Sequence, residues 1–361
     1  MREIIVGTAD SATASITVTS DEPMTEAHKE KIGTLARQAY PDSLIDEVNE
    51  DLDQFCHQIE SFGAKVLRPN PEGVGQIFST PNWSAASNNV YNMRDLHLVV
   101  GNTVIESPSP NKHRLFEAYA LQDILYDYFE EGFRWINAPK QKLTGEYRIP
   151  FYEDGKRFTK LSEDEILFDA ANTLRMGRDL IYLVSSSGNY KGAKWLQSVL
   201  GDDYNVHTTE SIYRSSHIDS TLMVLKPGLV MLCGDRVDEG NCPKIFDSWD
   251  KIYFDDIVEI PVEEHKLHER IRLPVHKQLV DMGVWSDVLT TASDWIGMNF
   301  LSLDEETIMV DASQTPLIKV LEGLKFTVVP VIMRHAAIMK GGLHCTTLDT
   351  VRDSSLESYF E

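Results

Sequence analysis

The chain has few cysteines, no long apolar run and a shortage of basic residues. Four cysteines in 361 residues (Cys56, Cys233, Cys242, Cys345) are too sparse for a disulfide framework, and none forms a Cys-x-x-Cys pair. That spacing also argues against zinc. His265 and His268 could share a helix face, but without a third ligand nearby they read as part of a solvated charged segment, so no metal is expected. No apolar stretch approaches the roughly 20 residues that span a bilayer, and Met1-Arg2-Glu3-Ile4-Ile5-Val6-Gly7 lacks the long apolar core of a secretory signal. These absences read as a cytoplasmic protein with no membrane partner. Against 56 acidic side chains stand only 34 basic ones, a formal net charge of −22. Such a chain repels nucleic acid and favours encounter with a small cation.

What is present has a recurring organisation. Leu96 to Val100, a Gly101-Asn102 turn and Thr103 to Glu106 read as a β-hairpin. Leu222 to Leu225, turning through Lys226-Pro227-Gly228 into Leu229 to Leu232, read as another, and Phe300 to Leu303 with Ile308 to Val310 as a third. Helical patterns lie between them. Residues 111 to 134 space Leu115, Tyr119, Leu121, Ile124, Leu125 and Phe129 for a helix, and residues 191 to 200, with Trp195, Leu196 and Val199, predict a shorter one ending at Gly201. The period is too irregular for a solenoid, which leaves an α/β chain of strand, hairpin and helix.

Three segments carry chemistry. Gly341-Gly342-Leu343-His344 leads into Cys345, His217-Ile218-Asp219 pairs an imidazole with a carboxylate, and Phe168-Asp169-Ala170-Ala171-Asn172 adds a second acid. A thiol is a useful nucleophile only as thiolate, so it needs a base or a positive charge close by, and that base is usually oriented by a third group. Two preceding glycines and the following Thr346-Thr347 suit a loop that exposes Cys345 to a cavity, whereas Cys233 and Cys56 read as buried hydrophobes. In a strand His217 and Asp219 would point to one side and share a site. Duller roles stand beside these. Asp169 could cap a helix starting at Ala170, His217 could be a satisfied core histidine, and Asp95 could pair with Arg94 in a turn.

Met93-Arg94-Asp95 with Leu96 to Asn102, Phe168-Asp169-Ala170-Ala171, Gly177-Arg178-Asp179, His217-Ile218-Asp219, Met309-Val310-Asp311-Ala312 and the Gly-Gly-Leu-His-Cys run occur in an order that resembles the amidinotransferases using L-arginine as donor. The similarity is densest from about residue 78 to Leu356-Glu357-Ser358-Tyr359-Phe360, with a fainter echo at Ile4 to Gly7. It implies the pentein architecture, a pseudo-fivefold α/β propeller with its active site in a central cavity, and residues 1 to 361 as a single catalytic domain. The chain is read as starting at its first strand, with no counterpart to the leader segment many relatives carry.

The resemblance also implies roles. Cys345 is the nucleophile, His217 the general acid and base, and Asp169 the carboxylate that orients the histidine or grips the guanidinium, with Asp95 and Asp219 as further guanidinium ligands. Arg236 matches the arginine that binds the donor's α-carboxylate; otherwise it is a surface pair with Asp235 or Asp238. His344 is read as support for the loop. Relatives tend to have paired serines before the tryptophan of a Trp-x-x-Met-Asn motif, where this chain has Ala292-Ser293, so one donor-binding hydroxyl is missing and Ser293 remains. The reaction is ping-pong transfer through an amidino-Cys345, releasing ornithine, with no cofactor and no metal. Its partners are L-arginine and an acceptor amine, with a homodimer open. Glycine-using members carry a methionine before the catalytic histidine and an asparagine two positions earlier, where this chain has Ser216 and Arg214. That favours an acceptor longer than glycine, lysine first, with aminocyclitols and polyketide-derived amines open; the alternative is that Arg214 points to solvent. Rival functions are an arginine deiminase-type hydrolase and a catalytically idle arginine-binding protein.

Overall fold

The structure, a computed structural model, describes all residues except 14–17, 20–24, 154, 287 and 361. Among the described residues, five three-stranded sheets share one plan. A first strand pairs antiparallel with a second, and the second pairs parallel with a third reached by a crossover. The strands are His97–Val100, Thr103–Glu106 and Arg134–Asn137 in one unit, and Thr173–Met176, Asp179–Leu183 and Asn205–Thr209 in the next. Leu222–Lys226, Leu229–Cys233 and Asp250–Phe254 make a third, and Leu301–Ser302, Thr307–Asp311 and Thr327–Val331 a fourth. The fifth joins the two ends of the chain: Thr347–Val351 pairs antiparallel with Glu3–Val6, which pairs parallel with Lys65–Leu67.

Crossover helices cover these sheets because their apolar side chains recur at helical spacing. Leu44, Val48, Leu52, Phe55 and Ile59 line one face of Asp42–Ser61 and are buried against Ile4 and Val6. Leu317 and Leu321 do the same on Thr315–Gly323, packing with Phe300, Ile308 and Val310. Each such leucine stabilises the fold by roughly 1.5–3 kcal/mol. Tyr190–Leu200 opens on Asn189, whose side chain accepts from the Gly192 amide, and ends at Gly201.

The three predicted hairpins form, and the helix over 191 to 200 starts one residue earlier. The helix over 111 to 134 does not. Leu115–Leu121 is a 3-10 helix, only Gln122–Glu130 is α-helical, and Arg134 already belongs to a strand. Its apolar spacing is that of a tight turn followed by a short helix, which 3.6-residue counting merges. His268 is not solvated. On Val262–Asp281 it is buried with Nε2 against the Val288 carbonyl at 3.1 Å, and burial pushes its pKa down to about 4. A two-stranded hairpin, Arg148–Glu153 with Lys156–Leu161, stands apart from the five units. Among the described residues no helix is long and apolar enough to cross a membrane.

Candidate active site

The segment before the first strand of each unit supplies one part of the site. Asp95 ends the 3-10 turn Met93–Asp95 before His97, and Asp169 leads the turn Ala170–Asn172 before Thr173. His217 and Asp219 precede Leu222, Asn299 follows the turn Asp294–Met298 before Leu301, and Cys345 precedes Thr347. Distances show that these five points meet. His217 Nε2 lies 3.0 Å from Asp169 Oδ2 and Nδ1 lies 3.6 Å from Asp95 Oδ1. Cys345 Sγ lies 3.5 Å from Asp219 Oδ2, and the Cys345 amide donates to Asn299 Oδ1 at 2.9 Å.

Glycines before the thiol permit this approach. A Cβ on Gly341 would stand 1.8 Å from Asn92 Oδ1, and one on Gly342 would stand 2.8 Å from the Asn299 Cβ. They serve close packing rather than exposure, since Cys345 is 5% exposed and not on the open loop the sequence suggested. His217 and Asp219 also lie in irregular chain, not in a strand; both reach the site because the segment turns just before Leu222. Asp169 occupies an N-cap position without capping, its carboxylate being given to His217. Asp95 pairs with Arg114 rather than Arg94, whose guanidinium goes to Asp349 at 2.8 Å.

Charge is unevenly compensated here. Burial alone would push the His217 pKa down, but Asp95, Asp169 and Asp219 outweigh it and raise it to about 9, so both nitrogens carry protons at neutral pH. Burial, with Asp219 and Asp95, holds the Cys345 thiol well above its ordinary range. Burial and Arg94 push His344 down to about 4, although its Nδ1 is 2.8 Å from Asp219. Burial would raise the Asp219 pKa, but hydrogen bonding to His344 and nearby charge bring it to about 2. With His344 neutral, its Nδ1–H acts on Asp219 as a donor and not as a countercharge. Arg114, held by Glu117 at 2.8 Å and the Asn92 carbonyl, is the site's built-in cation. Two carboxylate oxygens, Asp95 Oδ1 and Asp169 Oδ1, are buried without a hydrogen-bond partner among the described residues.

The other predicted residues fall into two groups. Arg236 donates to the Thr221 hydroxyl at 2.8 Å and to Ser293 Oγ at 3.0 Å, and lies 3.9 Å over the Tyr213 ring. It is no surface pair with Asp235, which accepts from the Trp295 indole. Arg214 lies outside the Cys345 cluster, in an ion pair of 3.1 Å with Glu153 on the separate hairpin. The Ser216 carbonyl accepts from Ser185. Asn299 and Arg114 went unassigned in the sequence. The Met298-Asn299 pair was visible there, but the bond to the Cys345 amide is a contact across 46 positions.

No protein-family model matches the chain. It is 38% identical to inosamine-phosphate amidinotransferase 1 of Streptomyces griseus over 362 residues, 99% of this chain and 96% of that one. It is 32% identical over 365 residues to the L-arginine:L-lysine amidinotransferase of Pseudomonas savastanoi pv. phaseolicola, covering 99% and 94%. The solved structure of an inosamine-phosphate amidinotransferase from Streptomyces griseus superposes with a TM-score of 0.83 at 36% identity, covering 100% of this chain and 97% of the other. Fold and relatives together define an α/β enzyme of the amidino-transfer type. The chain belongs to the amidinotransferase family.

Proposed function

We propose that this protein transfers the amidino group of L-arginine to an acceptor amine through a covalent intermediate on Cys345. The observation that carries the reading is the pair of buried carboxylates, Asp95 and Asp169, each with an Oδ1 that accepts no hydrogen bond among the described residues, flanking a protonated histidine near a buried thiol. A planar guanidinium supplies donors for such oxygens, and its charge compensates carboxylates that the protein leaves in excess. The same charge activates the nucleophile. In the free enzyme burial, with Asp219 and Asp95, keeps the thiol protonated, and a bound guanidinium offsets the two carboxylates, lowering the thiol pKa as the substrate arrives.

Cys345 gives up its thiol proton to solvent and the thiolate adds to the guanidinium carbon, His217 gives a proton to the departing nitrogen, and the C–N bond breaks to release ornithine. An amidino-thioether remains on Cys345. His217, now neutral, takes a proton from the acceptor amine as it attacks that carbon, and the C–S bond breaks to release the thiolate, which regains a proton from solvent. Asp169 holds the imidazole orientation through both halves, Asp219 steadies the leaving nitrogen, and Arg236 with Ser293 receives the donor's α-carboxylate. In this reading the five units close into a pentein propeller with the site at its axis.

The acceptor is an amine longer than glycine. Ser216 before the histidine leaves room, and the relatives of higher identity are named for inosamine phosphate or lysine, those named for glycine matching at 30%. Incubation with arginine alone, followed by mass spectrometry, tests the first half. An amidino adduct confined to the Cys345 peptide with equimolar ornithine is expected; ammonia with citrulline instead makes the enzyme a hydrolase.

A further inference from the structure

Two cations stand beside the site without a carboxylate to balance them. Arg148, on the separate hairpin, donates to the Pro110 carbonyl at 3.2 Å and to the Ser186 carbonyl at 3.4 Å. Both neighbours lead to Asp169. Ser109, next to Pro110, lies close enough for its hydroxyl to lower the Asp169 pKa, and Ser187, next to Ser186, accepts the Asp169 amide at 2.8 Å. Arg148 therefore bridges the two segments that hold the Asp169 carboxylate. Its guanidinium lies 5.7 Å from the Tyr147 ring centre, and the Lys112 ammonium lies 5.8 Å from the same ring and 5.7 Å from that of Trp83. Neither cation has a carboxylate partner among the described residues, in a chain with a net charge of −22. Lys112 is half-buried, and burial, Lys29 and Arg148 all push its pKa down.

A half-buried cation stacked on aromatic rings, beside a second cation and without an anion, is a place where an anion gains most and loses least solvation. We infer that Lys112 and Arg148, walled by Trp83 and Tyr147, form an oxyanion subsite that binds a phosphate monoester or carboxylate carried by the acceptor. This rests on the amidino-transfer reading. The donor's carboxylate has its own candidate in Arg236, which is held by Ser220, Thr221 and Ser293 with no link to the Arg148 bridge. Arg214, the cation the sequence pointed to, is already neutralised by Glu153. Lys112 and Arg148 take over that role.

Three small amines separate the possibilities: ethanolamine, O-phosphoethanolamine and γ-aminobutyrate, each assayed as acceptor at a fixed arginine concentration. A charge-assisted contact is expected to raise kcat/KM for at least one anionic amine over ethanolamine by roughly 10- to 100-fold. The leading arm says whether phosphate or carboxylate is read. Lys112→Met should bring that ratio close to one, and Arg148→Lys should lower it by keeping the charge but losing the bridge. Ethanolamine matching both anionic amines, or a ratio unmoved in both variants, overturns the subsite. The wild-type adduct on Cys345 tells the two failures apart. Its presence with a flat acceptor ranking removes the subsite alone, and its absence removes the transfer reading with it.

Discussion

At the scale of single residues, the site is a surplus of negative charge arranged around one thiol and one imidazole. On the proposed mechanism Asp95→Asn and Asp169→Asn each remove a charge complementary to the guanidinium, and each should cut turnover by roughly 10²-fold or more. Steady-state rates near wild type in either variant would show that the unpartnered oxygens have another purpose. Cys345→Ala should form no adduct and release no ornithine while melting within a few degrees of wild type, since the substitution removes a single sulfur atom from a buried position. His217 sets a pH signature. Its pKa of about 9 keeps it an acid at neutral pH, so turnover should fall as pH rises through about 9. The sign for stability is the same. A folded pKa raised above the unfolded value of about 6.5 contributes stability that is complete below about 6.5 and lost as pH climbs through about 9. Denaturant midpoints of wild type and His217→Asn across that range should converge at the alkaline end.

At the scale of elements, local pattern shows some of this and hides the rest. The hairpins and the helix Tyr190–Leu200 were legible because alternation, a Gly turn and an apolar stripe are all local signals. Residues in consecutive motifs, such as His217-Ile218-Asp219 and Gly341 to Cys345, could be found for the same reason. The Asn299 bond to the Cys345 amide and the Arg114 pairing with Asp95 could not, because nothing near Asn299 or Arg114 in sequence records what approaches them through space. The glycines were noticed for the wrong property. They were read as suiting a loop that exposes Cys345 to a cavity, whereas they admit Asn92 and Asn299 side chains where any Cβ collides. Gly341→Ala should therefore cost roughly 1–3 kcal/mol by overpacking and displace Cys345, giving a larger loss in adduct formation than in melting temperature. Adduct formation at the wild-type rate would show that the turn is free to shift.

At the scale of the molecule, a second cluster of buried charge centres on Asp349. Asp349 accepts from Arg94 at 2.8 Å, Arg175 at 2.5 Å and Arg352 at 2.6 Å, and burial, which would raise its pKa, is overcome by these three cations, which hold it well below the carboxylate range. These residues line a cavity of about 820 Å³ that includes His344 but neither Cys345 nor His217. Through Arg94, which also donates to the His344 carbonyl at 2.8 Å, the cluster is tied to the turn that carries Cys345. Asp349→Ala leaves three guanidinium groups facing one another and should destabilise the fold by roughly 3–5 kcal/mol, read as a shift in denaturant midpoint.

The pairing of Glu3–Val6 with both Thr347–Val351 and Lys65–Leu67 has a temporal consequence. During synthesis the first strand emerges hundreds of residues before one of its two partners, so one of its edges stays open while the other four units can already fold. The proposed nucleophile, Cys345, sits two positions ahead of that late strand, and Asn299, made 46 residues earlier, waits for its amide. A ribosome-bound chain halted before residue 345 would thus carry Asp95, Asp169 and His217 on finished units yet lack Cys345, and under the proposed mechanism chemistry would begin only when the last strand docks.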